Sequence, residues 1–249
     1  MPKASLKPAA QNAAQPYFRE EAFKFLRGLK RNNRREWFEE RRDIYERELK
    51  QPMLAIVERI TDAMTDFAPA HVRPASKAMM RIYRDTRFSA DKTPYKTRVA
   101  AWWTRNGMEK TSGGGYYFHV SPTEVIVAAG IYMPEREQLF AIRMQLLEHH
   151  EELRRLLHDK KLRKLMDLDS SATLTRPPKG FPADHPGIDL IRQQQWGVEA
   201  SLPGEVALGK NLVPEIVKRF RLAAPVVDFL NRPFMRDTEK KKQYIFRLM

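Results

Sequence analysis

The sequence contains no cysteine, and this absence excludes several classes of site at once. Disulfides, thiolate nucleophiles and cysteine-ligated zinc or iron–sulfur centres all require a thiol. The chain also lacks an uninterrupted apolar run of the roughly 20 residues that span a bilayer, and its N-terminus has no apolar signal core. We therefore expect a cytoplasmic protein that engages no membrane.

Motifs for nucleotide cofactors and metals are missing as well. The glycines at 113–115 have neither the G-x-x-x-x-G-K-[ST] spacing of a phosphate-binding loop nor the G-x-G-x-x-G spacing of a dinucleotide site. The adjacent His149 and His150 diverge on a helix, so they make a poor chelating pair. The sequence predicts no cofactor and no metal.

The chain is rich in basic and apolar residues. Lysine and arginine number 45 against 31 acidic residues, which gives a formal net charge of +14. Such an excess attracts polyanions, although bulk charge also serves solubility and does not define a site. The hydrophobic fraction of 42% supplies a large core. Composition predicts a disordered tail at 1–16, a single domain at 17–235 and a basic C-terminal segment at 236–249.

Hydrophobic periodicity predicts an α+β fold with N-terminal helices, a central antiparallel sheet, and C-terminal helices packed on it. The predicted helices cover residues 18–31, 34–49, 52–64, 135–147, 153–165, 188–192, 214–220 and 225–230. The predicted strands are the runs at 78–83, 99–104, 115–120, 125–133 and 196–200. A loop with four prolines spans 176–187.

Alternation along the strands predicts which side chains face the core. On the first run, Met80 and Ile82 should point inward while Arg81 and Tyr83 point outward. The neighbours Trp102 and Trp103 should lie on opposite faces, one of them buried.

The cationic segment, residues 81–97, is the best candidate for a working surface. Between 73 and 98 the chain carries eight basic residues and two acidic ones, an excess of six positive charges. Arginine forks suit oriented binding of phosphate or carboxylate, and the interleaved aromatic rings suit stacking on a planar ligand. The predicted ligand-binding residues are Arg81, Arg84, Arg87, Lys92, Tyr95, Lys96 and Lys179. The predicted supporting residues are Glu36, Asp85, Asp91 and His119.

The same residues allow a purely structural role. Asp85 and Asp91 can pair with neighbouring arginines to lock a turn, although two carboxylates cannot neutralise eight bases. Glu36 can balance an arginine of the cationic segment. Of the histidines, His119 on a strand and His185 in the proline-rich loop are the acid–base candidates; either also fits a packing or turn role.

Several dense motifs carry a family resemblance. They are the segments at 32–46, 81–97, 113–122, 128–134 and 176–186. Together they resemble a bacterial family of conserved hypothetical proteins, domain of unknown function 2461, over roughly residues 18–232. The resemblance implies a single domain and brings no established activity. Ala90 and Thr175 stand where we expect lysine in this family.

Three functional hypotheses remain open at this point. The leading one is an anion-binding domain for nucleic acid or a phosphorylated ligand, bound in a basic cleft. The second is an enzyme that holds a small anionic substrate with Arg81, Arg84 and Lys96 and moves a proton through Asp85, Asp91 or His119. The third is an interaction or structural module with an internal salt-bridge network. Composition leaves the oligomeric state open.

Overall fold

A computed structural model of the chain describes residues 16–108, 112–169 and 172–248, with only the backbone of 236–248. Residues 1–15 of the expected tail therefore lie outside the described residues. Within the described residues, no helix is long and apolar enough to cross a membrane.

The N-terminal part of the chain is helical. Helix α1 (Glu20–Arg31) buries the periodic apolar side chains, and it ends at Asn32, whose amide Nδ2 donates to the Gly28 carbonyl at 3.0 Å. The predicted helix at 34–49 is interrupted, because Arg41 leaves helical dihedrals. The helices of this region are α2 (Arg35–Glu39), α3 (Arg42–Ile44), a wider π-helical turn (Tyr45–Lys50), α4 (Gln51–Met64) and the short α5 (Ala75–Ala78).

The centre of the fold is a five-stranded antiparallel sheet with the order β1-β2-β3-β5-β4. Its strands are β1 (Val99–Thr104), β2 (Gly115–Val120), β3 (Glu124–Ile131), β4 (Asp167–Asp169) and β5 (Trp196–Pro203). Sequence patterns predict four of these; the three-residue β4 is too short and too polar to be recognised.

The run at 78–83 does not form a strand, contrary to the prediction. It has two isolated bridges, Met79 to Ala101 and Tyr83 to Tyr95. Beyond Met80 the chain leaves β1 and forms a hairpin. In this hairpin the Lys96 N–H donates to the Ile82 carbonyl. Ile82 is buried as expected, whereas Met80 is only half-buried.

The C-terminal helices pack against one face of the sheet. They are α6 (Arg136–Leu157), α7 (Lys160–Arg163), α8 (Ile188–Ile191) and α9 (Leu212–Leu248). Helix α9 contains both Pro225 and Pro233, so the two helices predicted from 214 and 225 are one. It packs on β3, α6 and α4.

The two faces of the sheet differ in what covers them. Helices bury one face, which includes Trp103, Tyr116, Phe118 and Val127. The other face carries Trp102, so the two tryptophans do lie on opposite sides. The architecture is the predicted α+β arrangement of helices around a central antiparallel sheet.

Candidate functional site

The cationic segment folds into an irregular hairpin that is anchored by the N-terminal helices. Tyr83 pairs with Tyr95, and the Arg84 N–H donates to the Pro94 carbonyl at 2.8 Å. The side chain of Asn33 holds both backbone groups of Tyr95, donating to its carbonyl at 2.9 Å and accepting from its N–H at 3.0 Å. The segments at 32–46 and 81–97 are therefore joined directly, by hydrogen bonds between the Asn33 side chain and the Tyr95 backbone and by the Arg42 guanidinium, which donates to the Tyr83 hydroxyl at 3.5 Å.

Ion pairs within the tip of the hairpin occupy both of its carboxylates. Arg84 binds Asp91, and Arg87 binds Asp85 through two hydrogen bonds of 2.7 and 3.0 Å. These hydrogen bonds hold the pKa of each aspartate at about 2. Both carboxylates are therefore ionised and engaged at neutral pH, which suits a structural role better than proton transfer.

Three other predicted ligand residues of the hairpin make contacts within the protein. Lys92 donates to the Thr86 carbonyl at 2.9 Å, and Lys96 donates to the Arg81 carbonyl at 3.0 Å. Tyr95 is only 2% exposed, and its ring stacks on Phe38 at 4.2 Å, so it cannot stack on a ligand.

Lys179 and Glu36 do not line the pocket that contains Arg81. Lys179 is exposed on the proline-rich loop and lines neither of the two cavities described below. Glu36 is exposed on α2, and no ion pair connects it to the described residues of the cationic segment. A cleft that joins Arg81 to Lys179 therefore stays a prediction.

Arg81 does line a pocket with two other cations. This cationic pocket, of about 380 Å³, is formed by Arg73, Ser76, Lys77, Met79, Arg81, Thr104 and Met108. Among the described residues, its lining contains three positive charges and no carboxylate. Nε of Arg73 is buried without a hydrogen-bond partner among the described residues, and burial lowers the pKa of the guanidinium. A partly desolvated cation without a counter-charge is costly, and a bound anion relieves that cost.

A second cavity, the sheet cavity, lies on the face of the sheet that the helices leave uncovered. Its volume is about 490 Å³, and most of its lining is apolar or aromatic. Across the strands, Trp102, Tyr117, Ala128 and Glu199 are successive register partners and form one row of its floor. In the next row stands Gly130, with φ of 145°; a Cβ there would lie 2.3 Å from the Trp196 carbonyl oxygen.

One end of the sheet cavity presents hydrogen-bond donors. Burial raises the pKa of the Tyr117 hydroxyl, and the charge of Arg98 opposes that rise. This hydroxyl lies 3.1 Å from Nδ1 of His119. The hydroxyl can donate to this nitrogen or accept from it, so the donors that chemistry fixes at this end are the Arg98 guanidinium and the indole N–H of Trp102.

The His119 ring is buried and neutral. It is 6% exposed, and burial followed by the Arg98 charge lowers its pKa. Its Nε2 lies 3.5 Å from Oε1 of Glu124, but it has no hydrogen-bond partner among the described residues. Nε1 of Trp102 also lacks a partner. This end of the cavity thus carries a guanidinium and two ring nitrogens that lack hydrogen-bond partners among the described residues.

The other end of the sheet cavity presents carboxylates. Glu199 stands on β5, and its pKa is raised by partial burial and then by the charge of Asp169. Asp169 itself accepts two hydrogen bonds from the Gln195 amide, at 2.9 and 3.0 Å. Within the described residues, no group of acidic and histidine side chains has the geometry to hold a metal ion.

His185, the other acid–base candidate, shapes the proline-rich loop. Its Nε2 donates to the Leu147 carbonyl at 3.1 Å, and its Nδ1 accepts from the Gly187 N–H at 3.0 Å. The ring also packs edge-on against His150. With both nitrogens in use, His185 docks the loop on α6.

Several residues of both cavities escape prediction from the sequence. Arg73, Lys77 and Arg98 contribute to the basic cluster, but nothing in their spacing distinguishes them from paired cations such as Arg84. Tyr117 and Glu199 lie on outward positions of their strands, where polar residues are ordinary. The alternating pattern predicts which face of the sheet each side chain lies on. Only the order of the strands brings the two side chains together.

Comparison with known proteins agrees with the resemblance seen in the motifs. The family model described as "Conserved hypothetical protein (DUF2461)" matches residues 21–229. That range includes the hairpin, all five strands and both cavities. No curated protein matches the chain. Because the model covers most of the sequence, the chain belongs to the family of conserved hypothetical proteins DUF2461.

Proposed function

We propose that this protein binds phosphate groups of a nucleic acid or a phosphorylated small molecule in the cationic pocket. The observation that carries the proposal is the convergence of Arg73, Lys77 and Arg81 in one pocket whose described lining has no carboxylate. At the hairpin tip, by contrast, the arginines have aspartate partners.

The partly buried guanidinium of Arg73 favours the binding of an anion in the pocket. Its buried Nε is a donor that finds no acceptor among the residues that the structure describes. Phosphate oxygens accept from guanidinium groups in charge-assisted hydrogen bonds, which are stronger than neutral ones. Lys77 and Arg81 are exposed and add charge at the rim. The net charge of +14 steers polyanions toward the protein without selecting a site.

Binding of fluorescent single- and double-stranded oligonucleotides, followed by polarisation over a salt series, tests the proposal. Tripolyphosphate, followed by calorimetry, represents small phosphorylated ligands. The triple variant Arg73→Gln, Lys77→Gln, Arg81→Gln should weaken binding roughly tenfold or more at low salt. If all three groups contact single-stranded phosphates, the slope of log K against log salt should become shallower by about 2.

A matched control separates the pocket from bulk charge. Arg136→Gln, Arg155→Gln, Lys160→Gln removes the same number of arginines and lysines from exposed positions on α6 and α7. This control should bind almost as tightly as the unmodified protein. Equal losses in the two triple variants, affinity that ignores salt, or no binding of any phosphate compound would overturn the proposal. Binding of oligonucleotides alone or of tripolyphosphate alone identifies the source of the phosphate.

A further inference from the structure

The sheet cavity is distinct from the cationic pocket and suggests a different ligand. Its volume of about 490 Å³ falls within the roughly 300–1,000 Å³ of small-molecule sites. Its walls are largely apolar, with Trp102, Tyr117 and Tyr132 among them. It opens on a sheet face that no described helix covers, so the residues at its two ends are placed to meet a ligand.

The basic and the acidic side chains of the cavity lie at opposite ends. The Arg98 guanidinium and Nε1 of Trp102, both donors, lie at the β1–β2 side together with Nε2 of His119, which donates when it carries the imidazole proton. The two ring nitrogens are buried and lack hydrogen-bond partners in the described residues, although Oε1 of Glu124 lies 3.5 Å from Nε2 of His119. A buried polar group without a hydrogen bond costs free energy. Both nitrogens belong to cavity-lining residues, so a ligand acceptor that enters can satisfy them after a small rotation of the rings.

Acceptors gather at the β5–β4 side. Glu199 follows Ala128 in the register, and Asp169 pairs with Gly197 in the next row. Between the two ends, the floor is formed by the apolar Ile126 and Ala128. Strands are spaced about 4.8 Å apart, so the β2 and β5 backbones, two spacings apart, are separated by about 10 Å.

We propose that the sheet cavity binds an amphoteric small molecule. Its carboxylate or carbonyl group lies at Arg98, His119 and Trp102; its protonated amine lies at Glu199 and Asp169; and an apolar body joins the two. The basic end of the cavity selects the acidic group of the ligand, and the acidic end selects its amine. The strand spacing sets the distance between these two groups.

Three probes of equal chain length test this division: ω-aminooctanoate, octanoate and octylamine. Calorimetry should show ω-aminooctanoate binding roughly tenfold more tightly than either one-ended probe, because only it engages both ends of the cavity. Glu199→Gln should reduce its affinity to nearly that of octanoate. Arg98→Gln should reduce it to nearly that of octylamine.

Two further variants complete the test. Glu205→Gln removes an exposed carboxylate from the segment after β5 and should leave affinity unchanged. Ala128→Trp fills the floor and should abolish binding of all three probes, with an unchanged circular dichroism spectrum showing that the fold persists. Equal affinity for the three probes, binding that survives Ala128→Trp, or no binding of ω-aminooctanoate would overturn the proposal. Phosphate binding in the cationic pocket should be unaffected by these variants, so the two proposals succeed or fail separately.

Discussion

At the scale of single residues, the Gly114 peptide is held by two side chains from distant parts of the chain. Asn231 accepts from the Gly114 N–H at 2.8 Å and donates to its carbonyl at 3.0 Å. The same carbonyl accepts from Nε2 of His71 at 3.2 Å, so the imidazole proton lies on Nε2. Nδ1 of His71 is buried without a partner. A second proton there would be a buried, unpaired N–H on a charged ring, and burial lowers the pKa of His71 to about 4.

This histidine should make the protein less stable in mild acid. In the unfolded chain it binds a proton near pH 6.5, whereas the folded state resists protonation down to about pH 4. Between these values the unfolded state holds more protons, so stability should fall as pH falls, by up to about 3 kcal/mol from this group. Urea unfolding at several pH values measures the effect.

The control for this prediction is His71→Gln, which keeps an amide donor and does not titrate. Its stability difference from the unmodified protein should shrink as the pH is lowered from 6.5 to 4. His149→Gln, at an exposed site, should leave the pH profile unchanged. A parallel pH profile in His71→Gln would show that His71 is not responsible.

At the scale of elements, the hairpin of the cationic segment depends on α2 and the turn before it. Asn33 binds the backbone of Tyr95, and Phe38 stacks on its ring. The sequence identifies both segments as dense motifs. It suggests that Glu36 connects them, because an acidic residue is an obvious partner for the arginines of the cationic segment. An amide that satisfies two backbone groups 62 residues away has no such signature.

Loss of this anchor should loosen the hairpin. Asn33→Ala leaves the N–H and carbonyl of Tyr95 without their partner, which should lower the free energy of unfolding by about 1–3 kcal/mol. Hydrogen exchange should accelerate at residues 82–96, and proteolysis should be faster at the hairpin tip. Glu36→Ala, an exposed neighbour, should change stability by less than about 0.5 kcal/mol. Equal effects of the two substitutions would instead favour a role for Glu36 in holding the hairpin.

At the scale of the whole molecule, aromatic packing joins the helical layer to the sheet. Phe220 on α9 contacts Trp103 at 5.7 Å and Tyr116 at 5.1 Å between ring centroids. All three side chains are fully buried. A contact of this kind between distant parts of the chain makes helix and sheet depend on each other, as expected for the single domain predicted at 17–235.

Phe220→Ala should therefore destabilise the entire fold. The cavity it leaves should cost about 3–5 kcal/mol. If 17–235 is one domain, circular dichroism and tryptophan fluorescence should report the same single unfolding transition. This should hold for the unmodified protein and for Phe220→Ala. Phe88→Ala removes the same ring from a site that is 95% exposed and should be nearly neutral. Two separate transitions would show that the region contains more than one cooperative unit.

The sequence by itself determines most of the elements and the layer they belong to. Alternating and helical periods report burial along one element, which is why β1, β2, β3, β5 and α1 match their predicted positions and Trp103 is buried. They carry no information on which elements become neighbours. The pairing of β3 with β5 places Glu199 opposite Ala128, and the turn of the chain after α5 places Arg81 beside Arg73. Both cavities are therefore products of tertiary structure, since long-range packing decides which charges find a partner within the chain and which line a cavity.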